Sequence, residues 1–150
     1  MNRTIFALIA FCFLASMAGA ASPIRFEDVT ARVGLADPLK KWELSHAGAW
    51  GDVDGDGLPD LYLGAFADRP VYKLPDAPIP DMLFLSKKTS FSLSPETSVR
   101  FQGKFARTTS AVFVDPDNDG DLDLFVGKNG PKEEQVQCTL FENDGKGGFK

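Results

Sequence analysis

Val112-Phe113-Val114-Asp115-Pro116-Asp117-Asn118-Asp119-Gly120-Asp121-Leu122-Asp123-Leu124-Phe125-Val126-Gly127 sets five aspartates within nine residues, between two short segments rich in Val and Phe. The flanks have the composition of β-strands, and the Asp/Asn/Gly run between them that of a tight turn. The same design occurs 63 residues earlier. There, Ala49-Trp50-Gly51 leads into Asp52-Val53-Asp54-Gly55-Asp56-Gly57-Leu58-Pro59-Asp60, and Leu61-Tyr62-Leu63-Gly64 follows.

The repeat extends outward from the two loops. Leu83-Phe84 matches Leu140-Phe141 at an offset of 57, so the second unit has the shorter connection. Short aromatic and β-branched runs at Thr108 to Val114, Leu122 to Val126, Met82 to Leu85 and Val136 to Phe141 predict strands. No stretch beyond the first twenty residues sustains a 3.6-residue apolar period, although Ala31 to Lys41 has room for one helical turn. A unit of roughly 60 residues with some four short strands has the size of a propeller blade. The expected fold is therefore all-β, with antiparallel strands in about two blade-like units, around 45–100 and 108–150. Two units cannot close a ring, which takes about four to eight blades. Asn143-Asp144-Gly145 reads as a hairpin turn whose return strand begins at Phe149, close to Lys150. The sequence thus reads as the N-terminal part of a longer protein.

Each loop places Asp at positions 1, 3 and 5, Gly at 6 and Asp at 9. That alternation converges Asp52, Asp54 and Asp56, or Asp115, Asp117 and Asp119, on one point. Gly57 and Gly120 permit the sharp bend. The carbonyl at position 7 (Leu58 or Asp121) then faces the same point, and Asp60 or Asp123 closes the far side. These are hard oxygen ligands in the number that Ca2+ takes, so two calcium sites are expected, with Mg2+ second. No Cys or His lies in either loop, which argues against zinc and copper. Position 12 is Leu63 or Val126 where an EF-hand needs a glutamate, which excludes that class. Without a cation, so many carboxylates would repel one another within about 4–6 Å.

The first twenty residues stand apart. Met1-Asn2-Arg3, an apolar run from Ile5 to about Ala15, and Ala18-Gly19-Ala20-Ala21 follow the order of a secretory signal peptide, cleaved after Ala20. The run is shorter than the about 20 apolar residues that cross a bilayer, so no membrane span is expected in the mature chain. Removal of Arg3 leaves 15 basic against 21 acidic residues, a net charge of −6, and nine of those acids sit in the two loops. No basic surface for nucleic acid follows from such a balance. Cys138 remains alone, which predicts a buried thiol or a partner elsewhere.

The pattern Asp-x-Asp-x-Asp-Gly-x-x-Asp-Leu-Phe/Tyr-Val/Leu-Gly resembles FG-GAP/VCBS repeats, the blades of integrin α-type β-propellers. Phe26-Glu27-Asp28-Val29-Thr30, Gly34-Leu35, Gly48-Ala49-Trp50-Gly51-Asp52 and the tail at 140–149 are similar to secreted proteins of the ASPIC/UnbV and cartilage-acidic-protein type. The resemblance covers about 24–150. It implies that Asp52, Asp54, Asp56 and Asp60 ligate one calcium and Asp115, Asp117, Asp119 and Asp123 another. Two features depart from it: Leu85-Ser86-Lys87-Lys88-Thr89 lacks the Asn/Gly hairpin, and Ala65 to Pro80 is long.

In such an architecture the calcium loops are struts, and recognition falls to other loops. Residues 65–81 and 128–135 occupy the same place in their units and form the expected ligand rim. The leading expectation is a non-enzymatic binding or adhesion module toward extracellular protein or glycan. The alternatives are part of a secreted polysaccharide-active enzyme, or a truncated product without its own function. His46, Trp42 and Trp50 read as packing or loop residues, and no nucleophile–base–orienter set is visible.

Overall fold

The computed structural model describes residues 24–40, 45–65, 80–99, 107–130 and 137–150. The 1–20 segment, Trp42 and most of the 65–81 and 128–135 loops lie outside them. Nearly all of the described chain is strand and turn. One four-stranded antiparallel sheet runs in the order β1 (Ser45–Gly51), β2 (Asp60–Ala65), β3 (Met82–Lys87), β4 (Ser90–Leu93). A three-stranded antiparallel sheet runs β5 (Arg107–Val114), β6 (Asp123–Asn129), β7 (Thr139–Phe141). Neither sheet closes on itself. The expected all-β pair of partial blades is what forms.

Strand pairing reproduces the sequence repeat residue for residue. Trp50 stands opposite Leu61 and Phe113 opposite Leu124; Leu61 faces Phe84 as Leu124 faces Phe141. A register shift between Ser45 and Ala47 recurs between Thr108 and Ser110, again 63 residues on. A bulge of this kind increases local twist, so both sheets twist at the same place.

Side chains alternate across each strand, and this divides the molecule. On the first sheet the cross-strand row Ala49–Tyr62–Leu83 turns inward. On the second, Leu124 and Val126 turn inward, with Phe113 and Phe141 packed beside them. The two faces meet in one core, completed by Val53 and by Phe149 from the tail. Full burial of side chains such as Tyr62, Leu83 and Leu124 stabilises by about 1.5–3 kcal/mol each.

Close approach of the sheets requires small residues at the crossing. A Cβ on Gly64 would lie 2.3 Å from Thr108 Cγ2, and one on Gly51 would lie 3.0 Å from Leu122 and Phe113 side-chain atoms.

Among the described residues the helical content is two single turns. α1 (Ala36–Leu39) lies within the span where one turn is expected. α2 (Glu96–Val99) is not anticipated by periodicity, and it is held against β3 at Leu83. Leu83 N–H donates to Thr97 Oγ1 at 3.0 Å, and Ser94 N–H donates to the Leu83 carbonyl at 2.8 Å. Where the Asn/Gly hairpin is absent, Lys88 adopts positive φ (33°) to turn β3 into β4. The N-terminal segment is tied to β4 by Phe91 N–H donating to the Val33 carbonyl at 2.8 Å.

The tail returns as expected. Asn143 and Phe149 form an antiparallel bridge, flanked by hydrogen bonds between Glu142 and Lys150. Of the two expectations for Cys138, the buried thiol is corrected: the residue is exposed. Cys138 immediately precedes β7. No helix among the described residues is long and apolar enough to cross a membrane.

Candidate metal centre

The loop of residues 52–60 joins β1 to β2, and that of residues 115–123 joins β5 to β6. Both fold through the same side-chain-to-backbone bonds. Asp52 accepts from Gly57 N–H at 2.8 Å, and Asp115 accepts from Gly120 N–H at 3.2 Å. Asp56 accepts from Leu58 N–H at 2.9 Å, and Asp119 accepts from Asp121 N–H at 3.1 Å. Such Asx turns explain why aspartate, not glutamate, fills these positions: its short side chain reaches its own backbone two residues on. Gly57 (φ 84°) and Gly120 (φ 97°) supply the left-handed bend. Gly55 (φ 73°) supplies a second in the first loop, where the other loop uses Asn118 (φ 61°), the residue type best able to replace glycine there.

The geometry brings carboxylates together in both loops. Oxygens of Asp52, Asp54 and Asp60 lie within 4.8 Å of one another, as do oxygens of Asp115, Asp117 and Asp119. The two trios differ in membership. Asp56 stands outside the first, where it accepts the Leu58 N–H, and Asp123 stands outside the second. The N–H groups of Leu58 and Asp121 donate to Asp56 and Asp119, as above. Lys87 Nζ reaches to 4.0 Å from Asp54 Oδ2 at the rim.

Position 9 does more than line a site. Asp60 is fully buried, and its two oxygens accept from Val53 N–H at 2.9 Å and Ser86 N–H at 2.7 Å. Asp123 accepts from Asn143 N–H at 2.8 Å, the equivalent bond one repeat on. These carboxylates therefore pin each loop to the strand or turn that follows. Each carboxylate oxygen retains a second lone pair, so the bonds leave room for a cation at Asp60.

Lys87 at the rim offsets only part of the charge gathered in the first loop. Burial pushes the Asp60 carboxyl above the usual carboxylate range; the Ser86 and Val53 N–H groups oppose that, and the charges of Asp54 and Asp56 add to it. Desolvation likewise raises Asp121, helped by the charges of Asp119, Asp123 and Asp117. Asp115 Oδ1 and Asp121 Oδ1 are sealed from solvent without a hydrogen-bond partner among the described residues. Buried acceptors of this kind cost free energy unless something satisfies them. An oxygen-only donor set with sealed, unsatisfied oxygens fits a hard divalent cation.

A family model for FG-GAP-like repeats matches residues 52–126, from the first aspartate of one loop through the strand that follows the other. The chain belongs to the FG-GAP-like repeat family. No curated protein sequence matches it. The matched span takes in both acidic loops and most of β6, so this FG-GAP-like chain is recognised by the features that set its register.

Two polar residues whose structural roles sequence reasoning missed, Asn143 of the turn and Asp81 of the expected rim, organise the contact between the units. Asp81 is buried, and its carboxylate accepts from Tyr62 Oη (2.7 Å), Thr108 Oγ1 (2.8 Å) and Ala65 N–H (2.7 Å). Burial, then the charge of Asp81, holds the Tyr62 phenol well above the tyrosine range. Asn143 is buried too, and its Nδ2 donates to the carbonyls of Val53 (2.9 Å) and Leu122 (3.0 Å), one from each acidic loop. The available signal was an acid placed immediately before the apolar run of β3, which a solvated loop does not require. Asn143 has a second duty within its turn, accepting from Asp144 N–H and Gly147 N–H.

Proposed function

We propose that this chain is a secreted, calcium-stabilised propeller segment that acts as a binding or adhesion module toward an extracellular protein or glycan. The observation that carries the calcium part is the repeated convergence of three carboxylates, with Asp115 Oδ1 and Asp121 Oδ1 sealed and unsatisfied beside one of the trios. Bound calcium would be held by Asp52, Asp54 and Asp60 in one loop and by Asp115, Asp117 and Asp119 in the other. It would neutralise charges that otherwise oppose closure of the turns. The signal-like order of residues 1–20 supports export, to a compartment where calcium is plentiful.

The recognition role rests on the resemblance to integrin α-type repeats and on the logic that struts and binding loops are separate parts of a scaffold. Isothermal titration tests the site directly. Two equivalents of Ca2+ should bind, Asp54→Asn and Asp117→Asn should each remove one, and excess EGTA should lower the melting temperature. A melting temperature indifferent to EGTA would overturn the calcium reading. Export is tested separately by N-terminal sequencing of the secreted product, expected to begin at Ala21.

A further inference from the structure

Register places one residue of each unit beside its acidic loop. Leu61 faces Phe84 as Leu124 faces Phe141, so Lys87 and Asp144, three places further along, are equivalent. The residue before each is tied to its loop in the same way. Ser86 N–H donates to Asp60 at 2.7 Å, and Asn143 N–H donates to Asp123 at 2.8 Å. The two equivalent positions nevertheless carry opposite charge.

Lys87 is aimed at the first loop. Its Nζ lies 4.0 Å from Oδ2 of Asp54, a member of the Asp52–Asp54–Asp60 trio. A tight turn follows it at once: Thr89 N–H donates to the Lys87 carbonyl, and Lys88 takes a φ of 33°. Asp144 is instead occupied by its own turn, accepting from Lys146 N–H at 2.9 Å and Gly148 N–H at 3.0 Å. Among the described residues no lysine or arginine comes as close to a carboxylate of the second loop. Lys150 is on that side, but its ammonium is paired with Glu142 at 2.8 Å, and Asp123 and Asp117 act on it more weakly. The loops differ at position 7 as well, where Leu58 is matched by Asp121, whose Oδ1 is sealed without a hydrogen-bond partner. One loop thus offers four carboxylates and a lysine, the other five carboxylates. The affinity of an all-oxygen site follows the charge its ligands carry.

We infer that Lys87 sets the two loops apart: it competes with a divalent cation for Asp54, so the loop of residues 115–123 fills first and that of residues 52–60 only at higher calcium. This rests on the calcium reading above and adds an order of filling and the residue that imposes it. An ammonium beside a dication site weakens binding there by about tenfold in a water-like dielectric.

Calcium titration calorimetry of the full chain provides the test. Wild type should bind two Ca2+ with unequal affinities. Asp54→Asn should remove the weaker event and Asp117→Asn the tighter one. Lys87→Met keeps the stem and removes the charge, so it should tighten the weaker event by about tenfold and leave the other unmoved. Lys87→Arg keeps the charge and should behave as wild type. Near-UV circular dichroism checks that each variant is folded; should Lys87→Met fail that check, Lys87→Gln takes its place with the same expectation. Two bound ions whose affinities do not respond to Lys87→Met would overturn this inference alone, as would loss of the tighter event in Asp54→Asn. Tightening by Lys87→Arg equal to that by Lys87→Met would show that shape and not charge matters there, and would overturn it too. A chain that binds no Ca2+ would overturn the calcium reading and this inference together.

Discussion

The side-chain amide of Asn143 donates to the backbone carbonyl of Val53 at 2.9 Å, joining residues 90 positions apart. The same nitrogen donates to Leu122, so one buried amide holds both acidic loops to the tail hairpin. Asn143→Ala would strand two carbonyls and loosen the turn that Asn143 Oδ1 closes. A loss of about 2–5 kcal/mol is expected. Asn143→Asp, which turns donors into acceptors facing carbonyls, should cost at least as much. Urea unfolding midpoints at constant slope would measure both.

Asp81 offers a second cut at the contact between the sheets. Asp81→Ala removes the acceptor of Tyr62, Thr108 and Ala65 at once, and should cost about 3–5 kcal/mol. Thr108→Val removes one donor and should cost about 1–2 kcal/mol. An alkaline absorbance titration adds an independent readout. Tyr62 should ionise only as the chain unfolds, because burial and the Asp81 carboxylate both oppose the phenolate.

Steric closeness at the crossing is testable by addition. Gly64→Ala pushes a Cβ to 2.3 Å from Thr108 Cγ2 and 2.7 Å from its Cβ. Overpacking of this kind costs about 1–3 kcal/mol. Thr108→Ser removes the nearer methyl while keeping the hydroxyl that Asp81 accepts, so the double variant should recover part of the loss. Independent, additive losses in thermal melts would contradict the packing shown.

The pH dependence of the cation effect follows from Asp60 and Asp121, whose carboxyls are raised in the folded chain. A raised acid favours the folded state while protonated, so that contribution is present below the ordinary carboxylate value near 4 and lost as pH rises through the raised one. Calcium requires the ionised forms and competes with those protons. The gap between melting temperatures in Ca2+ and in EGTA should therefore widen from pH 4.5 toward pH 7, and taking the gap cancels groups that titrate alike in both buffers. A gap that is constant or narrows with pH would contradict the assignment.

Much of the fold was legible because its signals are local. The turn chemistry of residues 52–60 and 115–123 and the strand runs beside them fixed the repeat, and the cross-strand pairs of the two sheets recur at the same 63-residue and 57-residue offsets. Metal geometry was legible to the extent that Asx turns are local: Asp52, Asp54, Asp115, Asp117 and Asp119 fall where the spacing puts them. Asp60 and Asp123 show where locality ends. Spacing marks them as position 9, but their bonds to Ser86 and Asn143 depend on a strand or turn about 20 residues or more further on. Asp81, Asn143 and the single turn of α2 belong to that nonlocal class. Each is explained by a partner that only the assembled sheets bring near.

From Ala65 to Met82 the chain takes 17 steps, and from Lys128 to Thr139, the matching positions, it takes 11. Six residues are gained or lost there without displacing a single cross-strand pair. Evolution has in effect already performed an insertion experiment at this junction and found the scaffold indifferent to it. Closing a longer loop costs only about 0.6 kcal/mol per doubling of its length. A protein engineer wishing to display a foreign peptide on this scaffold would begin between β6 and β7, because the matching connection of the first sheet is six residues longer.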